Sequence, residues 1–188
     1  MKISVIGAGA MGGATVDGLI KGHQFKNEDI TVSDPSQAVV DKFAKLGVNV
    51  TTDNQQAAKT ADIVCVVVKP WLVERVLTDI KAELDPKKQL LIVIAAGVPS
   101  ASIKEWLGAN CPPLFLVIPN IAIAQLASMT FIVPCDPPSS RLNWFRVSLT
   151  IWAHRSSPTS NTWHQVPRWP VAVSLMPCAI SAQQPKVV

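Results

Sequence analysis

Six residues near the N-terminus, Gly7-Ala8-Gly9-Ala10-Met11-Gly12, have types and spacing suited to holding phosphate rather than to breaking bonds. They spell G-x-G-x-x-G directly after the apolar run "KISVIG" and at the head of a helix-compatible stretch, the setting this motif requires. The first glycine permits a tight turn, the second lets a pyrophosphate approach the backbone, and the third lets helix pack closely on strand. Free N–H groups and the positive dipole end at the helix start then face the phosphates. The pattern predicts a dinucleotide site. Asp34, 22 residues past Gly12 at the end of a second apolar run, stands where a carboxylate can accept from an adenosine 2′-OH and favour NADH. Asp34-Pro35-Ser36 also reads as a turn and helix N-cap, leaving the Ser33 and Ser36 hydroxyls for a 2′-phosphate, so NADPH and NADH both stay open.

The elements that must position these residues follow from the apolar pattern. "KISVIG", "DITVSD", "VNVTT", "ADIVCVVVKP", "QLLIVIAAG", "PLFLVIP" and "MTFIVP" read as seven short strands, several of them apolar without alternation, as strands buried on both faces are. Helices are expected from Met11 to Ile20, from an N-cap at Ser36 to Leu46, from Asn54 to Lys59, from Trp71 to Leu84, and from a capping box of Ser102 and Glu105 to Leu107. Strands and helices alternating at this spacing imply right-handed βαβ units, hence an α/β domain with a Rossmann-like, doubly wound parallel sheet.

Function classes are narrowed by what the chain lacks. Cys65, Cys111, Cys135 and Cys178 form no C-x-x-C pair, and His23, His154 and His164 sit at no metal-ligand spacing, which predicts a reduced, metal-free, cytoplasmic protein. Glycines interrupt the N-terminal apolar run and Asp17 ends it, so it does not read as a signal peptide. No apolar stretch reaches the roughly 18 residues of a membrane span.

Four blocks, "MKISVIGAGAMGGA", "ADIVCVVVKP", "LLIVIAAGVPSASIKEWL" and "VIPNIAIAQLASMT", occur in an order and spacing that resemble pyrroline-5-carboxylate reductase, the last enzyme of proline biosynthesis. The resemblance covers residues 1 to 133. It implies that Ser33, Asp34 and Asn54 lie around the adenosine half of NADPH or NADH, that Val68, Lys69, Pro70, Ala95 and Ala96 line the nicotinamide half, and that Pro119-Asn120 lie near the substrate. Small residues at Ala95, Ala96 and Gly97, at the carboxyl end of a strand, also make independent sense as backbone against which a nicotinamide can lie. Lys69 reads equally as a solvated strand end or a phosphate or ribose contact, and Asn120 equally as a turn residue. Trp71 stands where the family commonly has Gln, and Ile121-Ala122 replace its usual Thr-Pro. The implied chemistry is hydride transfer from NAD(P)H to the imine carbon of 1-pyrroline-5-carboxylate, giving L-proline; positioning, carboxylate binding and exclusion of water suffice, and no nucleophile or triad is needed.

The family continues into a helical domain that makes the homo-oligomer and supplies a Ser/Thr/Gly-rich substrate loop, and that loop does not occur here. Residues 1–134 carry eleven Lys and one Arg against twelve acids, whereas residues 135–188 carry four Arg and one Lys against a single Asp, so all of the net charge of +4 lies in the latter. No glycine follows Gly108, while four of six Trp and seven of fifteen Pro fall after residue 134. Prolines at that density leave no window for a normal helix. The stretch is expected to be an irregular, disordered tail, translated out of frame in place of the dimerisation domain. An alternate-frame reading of "MPCAISAQQPKVV" permits "YIRAATEGG", which resembles a helix of that missing domain. On this reading the chain itself is inactive. The rivals are another NAD(P)-dependent or F420-linked dehydrogenase of the same sheet type, and a non-enzymatic dinucleotide-binding module whose Trp/Arg tail stacks on nucleic acid. The neutral N-terminal part and the motif-less tail argue against nucleic acid and membrane partners.

Overall fold

A computed structural model of the chain describes residues 1–126, 128, 130–135 and 174–175. Its centre is made by three strands, β1 (Ile3–Ile6), β4 (Ile63–Val66) and β5 (Leu90–Val93), every residue of which is buried. Such strands need cover on both faces. Side-chain alternation supplies it: Ile3, Val5, Ile63, Cys65, Leu90 and Ile92 enter one core, while Ile6, Val64, Val66, Leu91 and Val93 enter the other. The first core is closed by α1 (Ala10–Gly22) and α2 (Gln37–Ala44), through Val16, Leu19 and Phe43. The second is closed by α3 (Asn54–Lys59), α4 (Val73–Ile80) and α5 (Ser100–Leu107), through Ala57, Leu77 and Ile103.

With β2 (Ile30–Ser33), β3 (Asn49–Thr51), β6 (Leu114–Ile118), β7 (Phe131–Cys135) and β8 (Ser174–Leu175), the sheet order is β3-β2-β1-β4-β5-β6-β7-β8. Chain order reverses on either side of β1, where Ile6 pairs with Ser33 of β2 and with Val66 of β4. Open α/β sheets bind ligands at that switch point, beyond the carboxyl ends of the strands. The expected doubly wound α/β architecture is therefore present from β1 to β6.

Several expectations need correction. β7 pairs antiparallel to β6, with Ile118 opposite Phe131, so the sheet is mixed rather than wholly parallel. The β6–β7 connection carries a 3-10 turn, Ile121–Gln125, instead of a crossover helix long enough to return the chain parallel. β7 runs from Phe131 to Cys135. The helix expected from Trp71 to Leu84 is in three pieces: a 3-10 turn Pro70–Leu72, then α4, then a 3-10 turn Lys81–Glu83. α5 starts at Ser100 after Pro99, two residues before the supposed capping box, so Ser102 lies within its first turn. Of the tail, the described residues include only Cys135 and β8, which pairs parallel with β7; the rest of that expectation, with His154, His164 and Cys178, lies outside the described residues. Among the described residues no helix is long and apolar enough to cross a membrane.

Candidate dinucleotide and substrate crevice

The glycine loop leaves β1 at Gly7, whose φ of 92° is left-handed and whose N–H donates to Ser33 O at 2.7 Å. A Cβ on Gly7 would overlap the Val67 carbonyl and Val68 Cγ1, and one on Gly12 would overlap the Gly7 carbonyl. Both glycines are thus packing requirements. At Gly9 an added Cβ meets nothing within 4 Å, so open space lies over the backbone at the start of α1. The motif's outer glycines are packed against backbone, and of the three only the middle one faces room for a ligand. That open cradle fits the pyrophosphate of a dinucleotide, which Gly9, Ala10 and Met11 would hold through backbone N–H groups at the helix start, beside Ala8, whose own N–H is taken by Asp34.

Beyond the carboxyl end of β2 a carboxylate organises the chain. Asp34 Oδ2 accepts from the Ala8 N–H at 2.9 Å and Asp34 Oδ1 from the Ser36 N–H at 2.9 Å. One side chain therefore ties the glycine loop to the β2–α2 turn. Ser36 occupies the N-cap of α2 as expected, but its hydroxyl makes no capping bond; Asp34 serves that turn instead. Ser33 is fully buried and its Oγ donates to Asn54 Oδ1 at 2.8 Å. Its hydroxyl is not free for a 2′-phosphate, which corrects that alternative and leaves only Ser36 exposed there. Asn54 is in turn fixed at the start of α3, whose N-cap Asp53 accepts from the Gln55 and Gln56 N–H groups. Asp53 was missed in the sequence, although Asp before "NQQAAK" is an ordinary N-cap signal.

Across the switch point, the Val67 N–H donates to Ile6 O at 2.8 Å and the Ile94 N–H to Val66 O at 2.9 Å, which brings the ends of β1, β4 and β5 to one level. Beyond them Val68 and Ala95 are half-buried, while Lys69, Pro70, Ala96 and Gly97 are exposed. Gly97, at φ 78°, also has open space where a Cβ would be. Trp71 follows at 76% exposure, with Ile118 at 47% and Ile121 at 60% on the far rim. A cavity of about 540 Å³ opens beside the glycine loop between α1, α2 and the 3-10 turn, floored by Gly9, Gly13 and Ala14 and walled by Phe43, Lys42 and Ile121. This hollow was not read from the sequence, although the small residues at 10, 13 and 14 recur at helical spacing.

Asn120 is exposed, and its side chain caps the 3-10 turn, Oδ1 accepting from the Ala122 N–H at 3.0 Å. Its own N–H donates to Ser128 Oγ, which also accepts from Thr130 Oγ1, and both hydroxyls are buried. The turn rests on α1: a Cβ on Gly18 would press on Ile123 O, and Lys21 Nζ donates to Ala124 O at 2.8 Å. The turn reading of Asn120 is the one its geometry satisfies. Cys65 is fully buried, and burial pushes its thiol far above the ordinary range, so it offers no thiolate. Burial also raises Cys111, against the pull of Lys104. Among the described residues no cluster of His, Cys, Asp or Glu is arranged to hold a metal.

Comparison with known proteins agrees with this geometry. The family model described as NADP oxidoreductase coenzyme F420-dependent matches residues 2–97. The pyrroline-5-carboxylate reductase of Methanosarcina acetivorans is 38% identical over 134 residues, covering 71% of this chain and 49% of that protein. The enzyme of the same name from Escherichia coli is 36% identical over 137 residues, with the same coverage. Among solved structures, a pyrroline-5-carboxylate reductase from Coxiella burnetii superposes with a TM-score of 0.72 at 30% identity, covering 80% of this chain and 56% of that one. The resemblance read from the four sequence blocks is borne out. The chain spans about half the length of the curated relatives it matches.

Proposed function

Since the chain belongs to the family described as coenzyme F420-dependent NADP oxidoreductases, we propose that residues 1–134 are the cofactor-binding half of a pyrroline-5-carboxylate reductase. The observation that carries the proposal is the open backbone at Gly9 beside a carboxylate, Asp34, held by two backbone N–H groups at the switch point. The loop Gly7 to Gly12 receives the pyrophosphate, and Asp34, with Ser33 and Asn54 behind it, receives the adenosine ribose. Val68, Lys69, Pro70, Ala95, Ala96 and Gly97 border the nicotinamide. The reduced cofactor supplies a hydride, which goes to the carbon of the protonated C=N bond of 1-pyrroline-5-carboxylate and leaves L-proline. This chain's residues orient the two partners. Asn120 acts by shaping the Pro119–Gln125 segment beside the substrate.

Asp34 also bears on cofactor choice. A carboxylate at this strand end suits a 2′-OH better than a 2′-phosphate, although both of its oxygens also accept from backbone, from the Ala8 and Ser36 N–H groups. The family's description names NADP, whereas Asp34 favours NADH; parallel calorimetric titrations of the purified chain with NADH and NADPH test both the site and the preference. Saturable binding, tighter for NADH, is the expected result. Absence of binding of either would defeat the assignment.

We further propose, on the abrupt change in charge, glycine, tryptophan and proline content after residue 134, that residues 135–188 are out-of-frame text and that the 188-residue chain forms little proline. Proline formation at rates typical of enzymes would contradict this, and the coding DNA around Phe131 to Cys135 would show an inserted or missing base. The reading places the protein in the cytoplasm, with no nucleic-acid or membrane partner. A second reading, an F420-linked dehydrogenase of the same sheet type, is favoured by the family's own description; a panel pairing reduced F420 and NAD(P)H with imine and hydroxyacid substrates separates the two.

A further inference from the structure

The cavity of about 540 Å³ between α1, α2 and the 3-10 turn has charged walls that the proposed reaction does not use. Its α1 residues, Ala10, Gly13, Ala14 and Asp17, recur at helical spacing, so one helix face offers three small residues and then a carboxylate. Small side chains leave the hollow open. Phe43 of α2 walls it, with the ring's Cζ 3.3 Å from where a Cβ on Gly13 would be, so wall and floor meet. Lys42 stands over that ring, its Nζ 5.2 Å from the centroid, which keeps an ammonium at the α2 wall. Val39 and Ile121 add aliphatic surface. Opposite charges thus line one largely apolar hollow without meeting each other. Asp17 is half-buried and has no hydrogen-bond or ion-pair partner among the described residues, while Lys42 has only the Phe43 ring. A partly desolvated carboxylate left unpaired is unfavourable, and a bound cation relieves it.

We propose that this cavity binds a zwitterionic aliphatic amino acid, its ammonium on Asp17, its carboxylate on Lys42 and its side chain against Phe43, Val39 and Ile121. A wholly apolar ligand would leave both charges unanswered, and a simple cation or anion would answer one. The volume falls among those of small-molecule sites, and so does the make-up, a mostly apolar lining with a few polar groups that fix orientation. The cavity adjoins the glycine loop through Ala8, Gly9 and Ala10 but takes no group from Asp34 or from the ends of β4 and β5. The inference therefore stands apart from the cofactor reading, and either can fail alone.

The test is a calorimetric titration of the full 188-residue chain, free of dinucleotide, with three probes: L-leucine, N-acetyl-L-leucine, which lacks the ammonium, and L-leucinamide, which lacks the carboxylate. L-Leucine should bind saturably at about millimolar concentration. N-acetyl-L-leucine should bind about tenfold more weakly, and L-leucinamide about threefold, since Lys42 is the more exposed of the two charges. Asp17→Asn should reduce L-leucine affinity about tenfold and leave the response to NADH unchanged. No saturable binding of L-leucine up to about 50 mM, equal binding of L-leucine and N-acetyl-L-leucine, or unchanged affinity in Asp17→Asn would overturn the proposal. An equal loss for NADH would mark Asp17 as structural and overturn it as well. The three probes on the parent chain decide the matter even where a thermal melt shows that a variant has lost its fold.

Discussion

At the adenosine end of the crevice the chain satisfies its own polar groups: Asp34 accepts from Ala8 and Ser36, and buried Ser33 donates to Asn54. At the nicotinamide end Lys69, Pro70, Trp71, Ala96, Gly97 and Ile121 are all exposed. One end is finished by hydrogen bonds between β1, β2 and α3; the other presents small and apolar surface at the ends of β4, β5 and β6. On the proposed function, the difference teaches that holding a dinucleotide and presenting it to a substrate are separate structural demands. The internally bonded end answers the first demand under that proposal, and the open end would answer the second.

The comparison breaks most severely at Gly12, which serves both ends because it seats α1 under the loop. Gly12→Ala forces a Cβ into the Gly7 carbonyl and should cost about 3 kcal/mol or more of stability, read from a denaturant midpoint. A variant as stable as the parent would show that the loop does not pack as described. Gly18→Ala strikes the substrate side alone, through Ile123 O, and should cost about 2 kcal/mol. A thermal midpoint equal to the parent's would mean that the Ile121–Gln125 turn does not rest on α1. Asp34→Ser addresses the adenosine end: losing an acceptor for two N–H groups should cost about 1 kcal/mol, while the preference moves about tenfold from NADH toward NADPH. An unmoved ratio of dissociation constants would remove Asp34 from cofactor choice. The smallest effect belongs to neither end. His23 closes α1 in the left-handed region at φ 53° and is exposed, so His23→Gly should add about 0.5 to 1 kcal/mol without altering binding.

What could be read in the sequence follows the same division. The strands β1, β4 and β5 were legible because burial on both faces demands unbroken apolar runs, and the glycine loop because each glycine answers a backbone requirement. The antiparallel turn of β7 was not, since an apolar run looks the same in either direction. Nor was the fate of polar side chains. Ser33 was offered as a ligand contact on its hydroxyl, and Asn120 was set near the substrate by the resemblance with a turn as its equal reading, yet Ser33 Oγ bonds Asn54 and Asn120 Oδ1 caps its own turn. Short polar side chains near a turn have several partners within reach, and only the packed chain decides which is nearest. Pro70 marked the end of β4 in the sequence, but the 3-10 turn that exposes Trp71 depends on α4 beginning at Val73 to cover the second core.

The central claim is that open backbone at Gly9 is the pyrophosphate seat. Gly9→Ala tests it most directly, because the added Cβ touches nothing within the chain and so should leave the melting temperature unchanged. Calorimetric titration with NADH should then show affinity reduced by about tenfold or more. Binding equal to the parent's in a variant equally stable would contradict the account and place the dinucleotide, if bound, elsewhere on the chain.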